Sequence, residues 1–505
     1  MHAPLDDAGI SLRTTLPHGR AISSEPSSDI QIQSLCSDSR RVRPGDLFVA
    51  LMGPHGDGHD HIAEAIARGA SAVLSEKMLP TTVPQFIVSD TRVAYSHLCL
   101  ELAGRPERDL RLTAVAGTAG KTVTSLLMAS VFRAAGRRVG LTSSIGYCDS
   151  EDLAPARETT PRAPEFATWL RRMAENQCDD AVIEVDGAAI ADRRVDGVEL
   201  DAAILTNLYS PSPECQSRFG NFAAYQRLAA RVTDRLRSDS VAIVNADDPM
   251  SMDWAQRLNC AYLTVSMKNQ GDVTATILER NRGDQTFMLN VGVESAMVRT
   301  RMLGDFHVQN CLSAAALGLA LGISLGDIIR GLESLDRVPG RLDRVVAGQG
   351  AGVFLDESMH CSTLANNLRA VRDVTPGKVF CVYGAHAADD DAICASRGRV
   401  VERHADRSIV TGGGADTKAS LQSLHCVVDG YRRPGAAHLI PDRLSAIEWA
   451  LNEAQSSDTV LIAGAAAGER LFVEQILRTE EGFNRCVEPS DDSDGPAIYR
   501  IDDYR

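Results

Sequence analysis

A glycine-rich turn at residues 117–122 carries the most specific chemistry in this sequence. It reads Gly-Thr-Ala-Gly-Lys-Thr and lies between an apolar run, RLTAVA, and a segment whose apolar residues are spaced three and four apart. This order of strand, turn and helix is typical of phosphate-binding loops. In such loops the backbone N–H groups and the start of the helix surround phosphate oxygens. Lys121 can then reach the terminal phosphates, and the Thr122 hydroxyl can bind Mg²⁺.

An ordinary structural turn is the alternative, because Val115 stands where the common pattern has its first glycine. The chain has only five lysines, and Lys121 is one of them. A lysine at this position in an arginine-dominated chain favours phosphate binding over a purely structural turn.

Length and composition indicate a folded protein of several domains. The 505 residues predict about three domains. Apolar residues make up 44% and charged residues 24%, which excludes a disordered or fibrous chain. The net charge of −15 disfavours a non-specific nucleic-acid binder, because neutralising phosphates requires clustered cations.

No segment of the sequence predicts secretion or a membrane span. The N-terminal residues MHAPLDDAGISLRTT lack the basic and apolar regions of a signal peptide. The longest apolar run, residues 311–323, is shorter than the ~20 residues that cross a bilayer. The 12 cysteines are scattered, with no C-x-x-C pair. We therefore expect a cytoplasmic protein with reduced thiols and no membrane or nucleic-acid partner.

Alternation of apolar strands with helical stretches predicts successive α/β segments. The predicted organisation is a flexible lead-in at 1–30, a small α/β domain at 31–108, a central domain with a parallel sheet at 109–337, a third α/β domain at 338–485 and an acidic tail at 486–505. Predicted strands include the runs DLFVAL, SAVLSE, QFIVSD, DDAVIEVDG, LDAAILTNL, DSVAIVNADD, GVFLDES, KVFCVYGA, RSIVTGG and DTVLIAGA, with helices at HIAEAIARGA and near Gln309–Leu321.

Several motifs in order along the chain resemble the Mur ligases, most closely those of the MurE type. These motifs are DSRRVRPGDLFVALMGPHGDGHDHI, AVAGTAGKTVTSLL, ETTP, VIEVDG, RVDGVELDAAILTNL, VNADDP, GDFHVQNCLSAAALGLALGI, LDRVPGRLDRV and VLIAGAAAGE. The resemblance implies three α/β domains: a UDP-binding domain, an ATPase-like central domain and a Rossmann-like C-terminal domain. It also implies ATP-dependent addition of an amino acid to a UDP-N-acetylmuramoyl-dipeptide through an acyl phosphate, in peptidoglycan synthesis.

The same resemblance assigns site residues. It implies that Lys121 is catalytic and that ATP contacts the loop residues and three positions beyond them: Gly117, Thr118, Ala119, Gly120, Lys121, Thr122, Val123, His307, Arg341 and Asp356. The implied Mg²⁺ ligands are Thr122 and Glu184. The implied contacts of the UDP-sugar and its peptide are Ser39, Pro54, His55, Gly56, Thr159, Thr160, Asp186 and Arg194.

The chain departs from the family pattern at several positions that carry chemistry. Ala119 replaces Asn in the phosphate loop, Asp186-Gly187 replaces a serine pair, Asp192 replaces Gln and His307 replaces Asn. The family's metal-binding histidine after Asn207 is absent from residues 209–212, and Ala229 stands in place of a carbamylated lysine. Three further family motifs are replaced: G-C-G-G-D-R-D at 384–390, D-N-P-R at 413–416 and K-G-H-E at 465–468.

Two hypotheses follow. The first is a divergent ligase that uses ATP, Mg²⁺, a UDP-muramoyl-dipeptide-like acceptor and an amino acid. The second is a catalytically impaired paralogue that binds nucleotide or precursor and acts as a regulatory or scaffolding partner of other cell-wall enzymes. Loss of several groups that stabilise developing charge motivates the second, since each such loss typically costs ~10²–10³ in rate.

Overall fold

A computed structural model describes residues 9–16, 18–22, 30–53, 56–208, 222–268, 270–346, 351–385, 390–412, 417–466 and 468–478. Pro54 and His55 of the predicted sugar-nucleotide loop lie outside these ranges. So do the replaced motif residues 209–212, 386–389 and 413–416, and the end of the predicted third domain with its acidic tail.

The N-terminal part of the chain forms a small α/β domain. Its strands are β1 (Ile10–Ser11), β2 (Arg20–Ile22), β3 (Gln31–Ile32), β4 (Leu35–Cys36), β5 (Leu47–Val49), β6 (Met52–Gly53), β7 (Gly56–Asp57), β8 (Ala72–Ser75) and β9 (Gln85–Ile87). Its α-helices are α1 (Leu12–Thr15), α2 (Ile62–Ala67) and α3 (Thr91–Leu102), with 3₁₀ turns at Ser39–Arg41, Gly58–His61 and Pro106–Arg108. The main sheet has the order β2-β9-β8-β5-β4, and only β2 is antiparallel to its neighbour in the described pairs.

The central segment contributes the longest sheet. Its strands are β10 (Arg111–Ala116), β11 (Val139–Ser143), β12 (Gly146–Cys148), β13 (Leu153–Ala154), β14 (Asp180–Glu184), β15 (Leu200–Leu205), β16 (Leu236–Asn245), β17 (Ala261–Ser266), β18 (Val273–Arg280), β19 (Gln285–Val291) and β20 (Glu294–Thr300). Their order is β13-β12-β11-β14-β10-β15-β16-β17-β18-β19-β20. Pairing is parallel for β11 with β14 and from β16 to β18, and antiparallel from β11 to β13 and from β18 to β20.

Helices of the central segment connect these strands. They are α4 (Lys121–Ala134), α5 (Ala163–Glu175), α6 (Gly187–Ala191), α7 (Phe222–Ala230), α8 (Pro249–Ala255), α9 (Asp305–Ala320) and α10 (Leu325–Ser334), with a 3₁₀ turn at Arg231–Arg235. Helix α4, which follows the phosphate loop, packs against α9 and α10. Ten of its residues are buried, so its position is fixed by apolar packing on several sides.

The C-terminal segment is a separate α/β layer structure. Its strands are β21 (Asp343–Val345), β22 (Gly352–Asp356), β23 (Val379–Ala385), β24 (Arg407–Gly412), β25 (Ala437–Leu439) and β26 (Thr459–Ala463), in the order β21-β22-β26-β23-β24-β25. Its helices are α11 (Cys361–Asp373), α12 (Asp391–His404), α13 (Thr417–Val428), α14 (Arg443–Glu453) and α15 (Glu469–Arg478), with a 3₁₀ turn at Pro434–Ala436. Two apolar clusters share its strands, as expected for a sheet covered on both faces.

The chain divides into two compact units whose boundaries fall inside β10, β15 and β16. The first unit comprises residues 1–114, 137–203 and 227–240, and the second comprises 115–136, 204–226 and 241–505. The phosphate loop, His307, Arg341 and Asp356 belong to the second unit. Thr160, Glu184 and Arg194 belong to the first.

The predicted α/β class is confirmed, and each predicted strand run contains a strand. The structure differs from the prediction in two places. Residues 10–22 of the predicted lead-in contain β1, α1 and β2, and Leu12 is fully buried in the N-terminal core. Antiparallel strands also extend the predicted parallel sheet, because β18 to β20 form a meander. Within the described residues, no helix is long and apolar enough to cross a membrane.

The packing of α4 yields a stability prediction. A Cβ added at Gly331 of α10 would lie 2.5 Å from Val131 Cα of α4, so Gly331→Ala must push the two helices apart. We expect a loss of about 1–3 kcal/mol in the free energy of unfolding. Gly326→Ala in the same helix is the matched control, since its nearest neighbour would be 3.8 Å away and alanine favours helix by about 0.5–1 kcal/mol. Urea unfolding in which both variants change stability alike would contradict this packing.

Candidate nucleotide and acceptor sites

The phosphate loop adopts a backbone that requires its two glycines. Gly117 has φ +137° and Gly120 has φ +83°. A Cβ at Gly117 would lie 2.2 Å from Thr206 Oγ1, and a Cβ at Gly120 would lie 2.5 Å from Asn310 Oδ1. Both positions are therefore closed to other residues by conformation and by space.

Asn207, just after β15, holds the loop in this shape. Its carbonyl oxygen accepts from Thr118 N at 3.0 Å. Its side chain accepts from Ala119 N at 3.0 Å and donates to Ala119 O at 2.9 Å. Thr206 Oγ1 also donates to Ala119 O, at 2.7 Å. The alanine that replaces the family's asparagine is thus fixed through its backbone by the neighbouring strand end.

Lys121 folds back over its own loop. Its ammonium group donates to Gly117 O at 3.1 Å and to Thr118 O at 3.4 Å. No side chain caps the N-terminus of α4, which begins at Lys121. An uncapped helix start beside a lysine favours an anion, because the first N–H groups of a helix have no acceptor within the helix.

His307 and Asn310 stand one turn apart on α9 and are both buried, and the His307 ring lies near the backbone of Arg341. His307 is 2% exposed and Asn310 is 5% exposed. Neither ring nitrogen of His307 nor Asn310 Nδ2 has a hydrogen-bond partner of normal geometry among the described residues. Burial lowers the pKa of His307 to about 3, so the ring is neutral, with one donor and one acceptor nitrogen. Buried polar groups are normally hydrogen-bonded, so the Asn310 amide, which lies against Gly120 of the phosphate loop, is a candidate contact for a polar ligand.

Arg341 and Asp356 make hydrogen bonds at the start of the C-terminal segment. Arg341 Nη1 lies 2.8 Å from Glu357 Oε2 and donates to Gly340 O at 3.0 Å. The Asp356 carboxylate accepts from Leu342 N at 2.8 Å and from Ser358 N at 2.9 Å. Burial raises the pKa of Asp356 to about 6. In this structure Asp356 supports the backbone on both sides of β22, and Arg341 is paired with Glu357.

The end of β14 connects Glu184 to the ETTP turn in the first unit. Glu184 is buried, and its Oε2 accepts from Ser144 N at 2.9 Å. Thr160 Oγ1 donates to Glu184 O at 2.8 Å and accepts from Asp186 N at 3.3 Å. Thr159, between Glu158 and Thr160, is half-buried.

Arg194 lies beside this turn with carboxylates on two sides. Its Nη1 donates to Glu158 Oε2 and, at 2.9 Å, to Thr160 O, and its Nη2 donates to Asp192 Oδ2 at 2.8 Å. Burial opposes its charge, yet the hydrogen bond that it donates to Asp192 and the charge of Glu158 raise the pKa of Arg194. Asp186, predicted to contact the acceptor, caps α6 by accepting from Ala189 N at 2.7 Å.

Two residues of the predicted sugar-nucleotide site are described in the N-terminal domain. Ser39 is buried and donates to Glu64 Oε2 at 2.7 Å. Gly56 has φ +140° and begins β7. The next residue, Asp57, lies 2.5 Å from His59 Nδ1 and 3.1 Å from Lys77 Nζ, which fixes the end of the loop.

The replaced positions bring no substitute metal site together among the described residues. Within those ranges, no group of three or more His, Cys, Asp or Glu side chains is placed to hold a metal ion. Ala229 is 2% exposed in α7, so an apolar methyl group occupies the position where the family carries its lysine.

Family models match the chain in three consecutive parts. They are described as the Mur ligase family catalytic domain at 31–111, the Mur ligase middle domain at 115–318 and the Mur ligase glutamate ligase domain at 340–466. A curated protein of Geobacillus kaustophilus (strain HTA426), named UDP-N-acetylmuramoyl-L-alanyl-D-glutamate--2,6-diaminopimelate ligase, is 33% identical over 86% of this chain and 89% of its own length. The chain belongs to the Mur ligase family.

Another curated relative and two solved structures are also similar to this chain. The UDP-N-acetylmuramyl-tripeptide synthetase of Roseiflexus sp. (strain RS-1) is 33% identical over 87% of this chain and 90% of its own. A UDP-N-acetylmuramoyl-L-alanyl-D-glutamate--2,6-diaminopimelate ligase structure has TM-score 0.64 at 22% identity, covering 91% of this chain and 94% of that one. MurF from Thermotoga maritima in complex with ADP has TM-score 0.62 at 19% identity, covering 88% and 97%. These structures establish the three-domain Mur ligase fold.

The buried neutral state of His307 predicts a pH dependence of stability. Because its folded pKa of about 3 lies below the ordinary 6.5, its contribution is present above pH 6.5 and is lost as pH falls toward 3. As the pH falls from 7 to 5, we expect the free energy of unfolding to fall by about 2 kcal/mol through His307 alone. His307→Asn should remove that part of the loss in urea unfolding, whereas His61→Asn, at an exposed histidine, should keep it. An unchanged loss in His307→Asn would show that the ring is not buried in its neutral form.

Proposed function

We propose that this Mur ligase is an ATP-dependent amide-bond ligase of the MurE type. It would join an amino acid to UDP-N-acetylmuramoyl-L-alanyl-D-glutamate, or to a related acceptor, and so serve peptidoglycan synthesis and cell-wall biogenesis. The observation that carries the proposal is a phosphate loop whose backbone is fixed by Asn207, in a chain that aligns over 86% of its length with a ligase of that name.

The described residues fit ATP. The loop from Gly117 to Val123 offers an uncapped helix start and a lysine bonded only to carbonyl oxygens in the described contacts. Asn310 offers a buried amide nitrogen that has no hydrogen-bond partner of normal geometry among the described residues, and His307 stands one turn away on the same helix, which contacts the loop. We assign the phosphates to the loop and the base or ribose to α9, with Arg341 and Asp356 as further nucleotide-side residues.

These residues would neutralise the negative charge of the phosphates and of the acceptor carboxylate. A carboxylate is a poor electrophile, and ATP with Mg²⁺ supplies the phosphoryl group and the charge neutralisation that convert it to an acyl phosphate. Lys121 would leave the carbonyls of Gly117 and Thr118 and donate to phosphate oxygens as the catalytic cation. Thr122 and Glu184 are the proposed Mg²⁺ ligands, since a metal shared with phosphates needs few protein ligands.

The acceptor is assigned to the first unit. We propose that Ser39, Pro54, His55 and Gly56 contact the UDP-sugar and that Thr159, Thr160, Asp186 and Arg194 hold the muramoyl-peptide. Two hydrogen bonds support this: the Thr160 hydroxyl donates to the backbone carbonyl of Glu184, and Arg194 donates to the backbone carbonyl of Thr160. Asp186 would act through its cap on α6.

The alternative, a ligase scaffold that binds without ligating and assists other cell-wall enzymes, rests on the replaced positions. The methyl group of Ala229 in place of a lysine is the described example. The reaction assay below separates this alternative from the proposed ligase.

Lys121→Ala tests the nucleotide site. Removing the ammonium group should weaken binding of Mg·ATP roughly tenfold or more, because a charge-assisted contact to phosphate contributes about 1.5–3 kcal/mol. Lys268→Ala removes an exposed lysine from the same unit and is the control. Calorimetric titration with ATP measures both. Equal affinities for the two variants would remove the phosphate-loop assignment.

Coupled phosphate release tests the reaction. The purified chain is given Mg·ATP, UDP-N-acetylmuramoyl-L-alanyl-D-glutamate and a pool of amino acids including diaminopimelate and lysine, with Lys121→Ala as the blank. We expect phosphate release that depends on both acceptor and amino acid. Binding of ATP and acceptor without release above the blank would favour the scaffold alternative.

A further inference from the structure

Asp192 occupies a hydrogen-bonding position on Arg194 that an incoming carboxylate would need. Arg194 Nη2 donates to Asp192 Oδ2 at 2.8 Å, while Nη1 already serves Glu158 and the carbonyl of Thr160. The Arg194 side chain is only 11% exposed, so its accessible edge is small. Three of the five N–H groups of Arg194 are thus used by the chain, and a ligand carboxylate that bound the same guanidinium would lie beside the Asp192 carboxylate.

The charge around Arg194 is balanced only because of Asp192. Glu158 is shared between Arg194 and Arg162, whose Nε lies 2.7 Å from Glu158 Oε1. Two guanidiniums and one glutamate leave one positive charge, and Asp192 cancels it. A neutral side chain at position 192 would leave that charge for a ligand.

Glu158 and Asp192 differ in how firmly they are held. The backbone of Glu158 is fixed on both sides by Tyr147, whose hydroxyl donates to Glu158 O and accepts from Glu158 N at 3.2 Å. Tyr147 is 1% exposed, so this anchor is rigid. Asp192 ends α6, and its side chain is 42% exposed. Asp192 is thus the carboxylate that competes with a ligand.

We propose that Asp192 is a specificity-determining residue that sets the charge of the acceptor, and that this chain prefers an acceptor carrying an uncharged carboxamide where the usual acceptor carries its non-reacting carboxylate. A carboxamide oxygen accepts from Arg194 without bringing a second negative charge, and its NH₂ group can donate to Asp192. A carboxylate in the same place would face Asp192 directly. This inference rests on the proposed function, which assigns the muramoyl-peptide to Arg194.

The test is direct binding of two acceptors to two forms of the full chain. Calorimetry measures the Kd of UDP-N-acetylmuramoyl-L-alanyl-D-glutamate and of its analogue in which the non-reacting D-glutamate carboxylate is a carboxamide. The chain and Asp192→Asn are compared. Asp152→Asn is the matched control, because Asp152 is an exposed acid, 75% accessible, paired with Arg172 in the same unit. Thermal unfolding establishes that each variant is folded.

The expected result is a change of preference. The unchanged chain and Asp152→Asn should bind the carboxamide more tightly. Asp192→Asn should bind the carboxylate roughly tenfold more tightly, and its affinity for the carboxamide should not rise, because the NH₂ group then donates to a neutral oxygen. The same ratio of affinities in the chain and in Asp192→Asn would overturn the inference and leave the proposed function intact. If no form binds either acceptor, the proposed function fails at the acceptor site, and this inference fails with it.

Discussion

The backbone of the phosphate loop depends on the end of strand β15. A glycine-containing loop is costly to order, since glycine loses more conformational freedom than any other residue. Asn207 offsets that cost with three hydrogen bonds to Thr118 and Ala119, and Thr206 adds one more. The loop is therefore shaped by a strand end almost 90 residues further along the chain. With that support in place, an alanine at position 119 is compatible with a cradle of backbone N–H groups.

Both arginines assigned to substrates are already paired with acids of the chain. Arg341 is paired with Glu357, and Arg194 with Glu158 and Asp192. Binding at these positions exchanges one ion pair for another, so the net gain is a difference between two similar interactions. An acid in place of a neutral residue beside such an arginine therefore changes which ligand charge the arginine prefers. In contrast, Lys121 is bonded only to loop carbonyls in the described contacts, and an anion there adds a charge interaction that the free chain lacks.

Much of the fold could be predicted because buried parallel strands appear as short apolar runs followed by glycine-rich turns. The run that became β10 is of this kind, and the predicted phosphate loop follows it. Glu184 and Asp356, two other predicted site residues, are the last residues of β14 and β22. Strands β1 and β2 could not be found this way, because two or three residues are too short to show alternation. The contacts of Asn207 and Asn310 were missed because sequence spacing gives no information on which residue faces a loop from another strand or helix. Their signal was chemical: a polar side chain directly after an apolar strand, and one in the middle of an apolar helix. Asp186 shows the reverse case, where a residue in a functional motif is used as a helix cap.

The proposed ligase activity depends on phosphorylation of the acceptor carboxylate. The most direct measurement uses acceptor labelled with ¹⁸O in the reacting carboxylate and follows the label into inorganic phosphate by mass spectrometry. Formation of an amide through an acyl phosphate transfers one carboxylate oxygen to each phosphate released, so we expect one ¹⁸O per phosphate from the labelled acceptor. Unlabelled phosphate, released at the same rate with or without amino acid, would contradict it and identify the activity as hydrolysis of ATP by water.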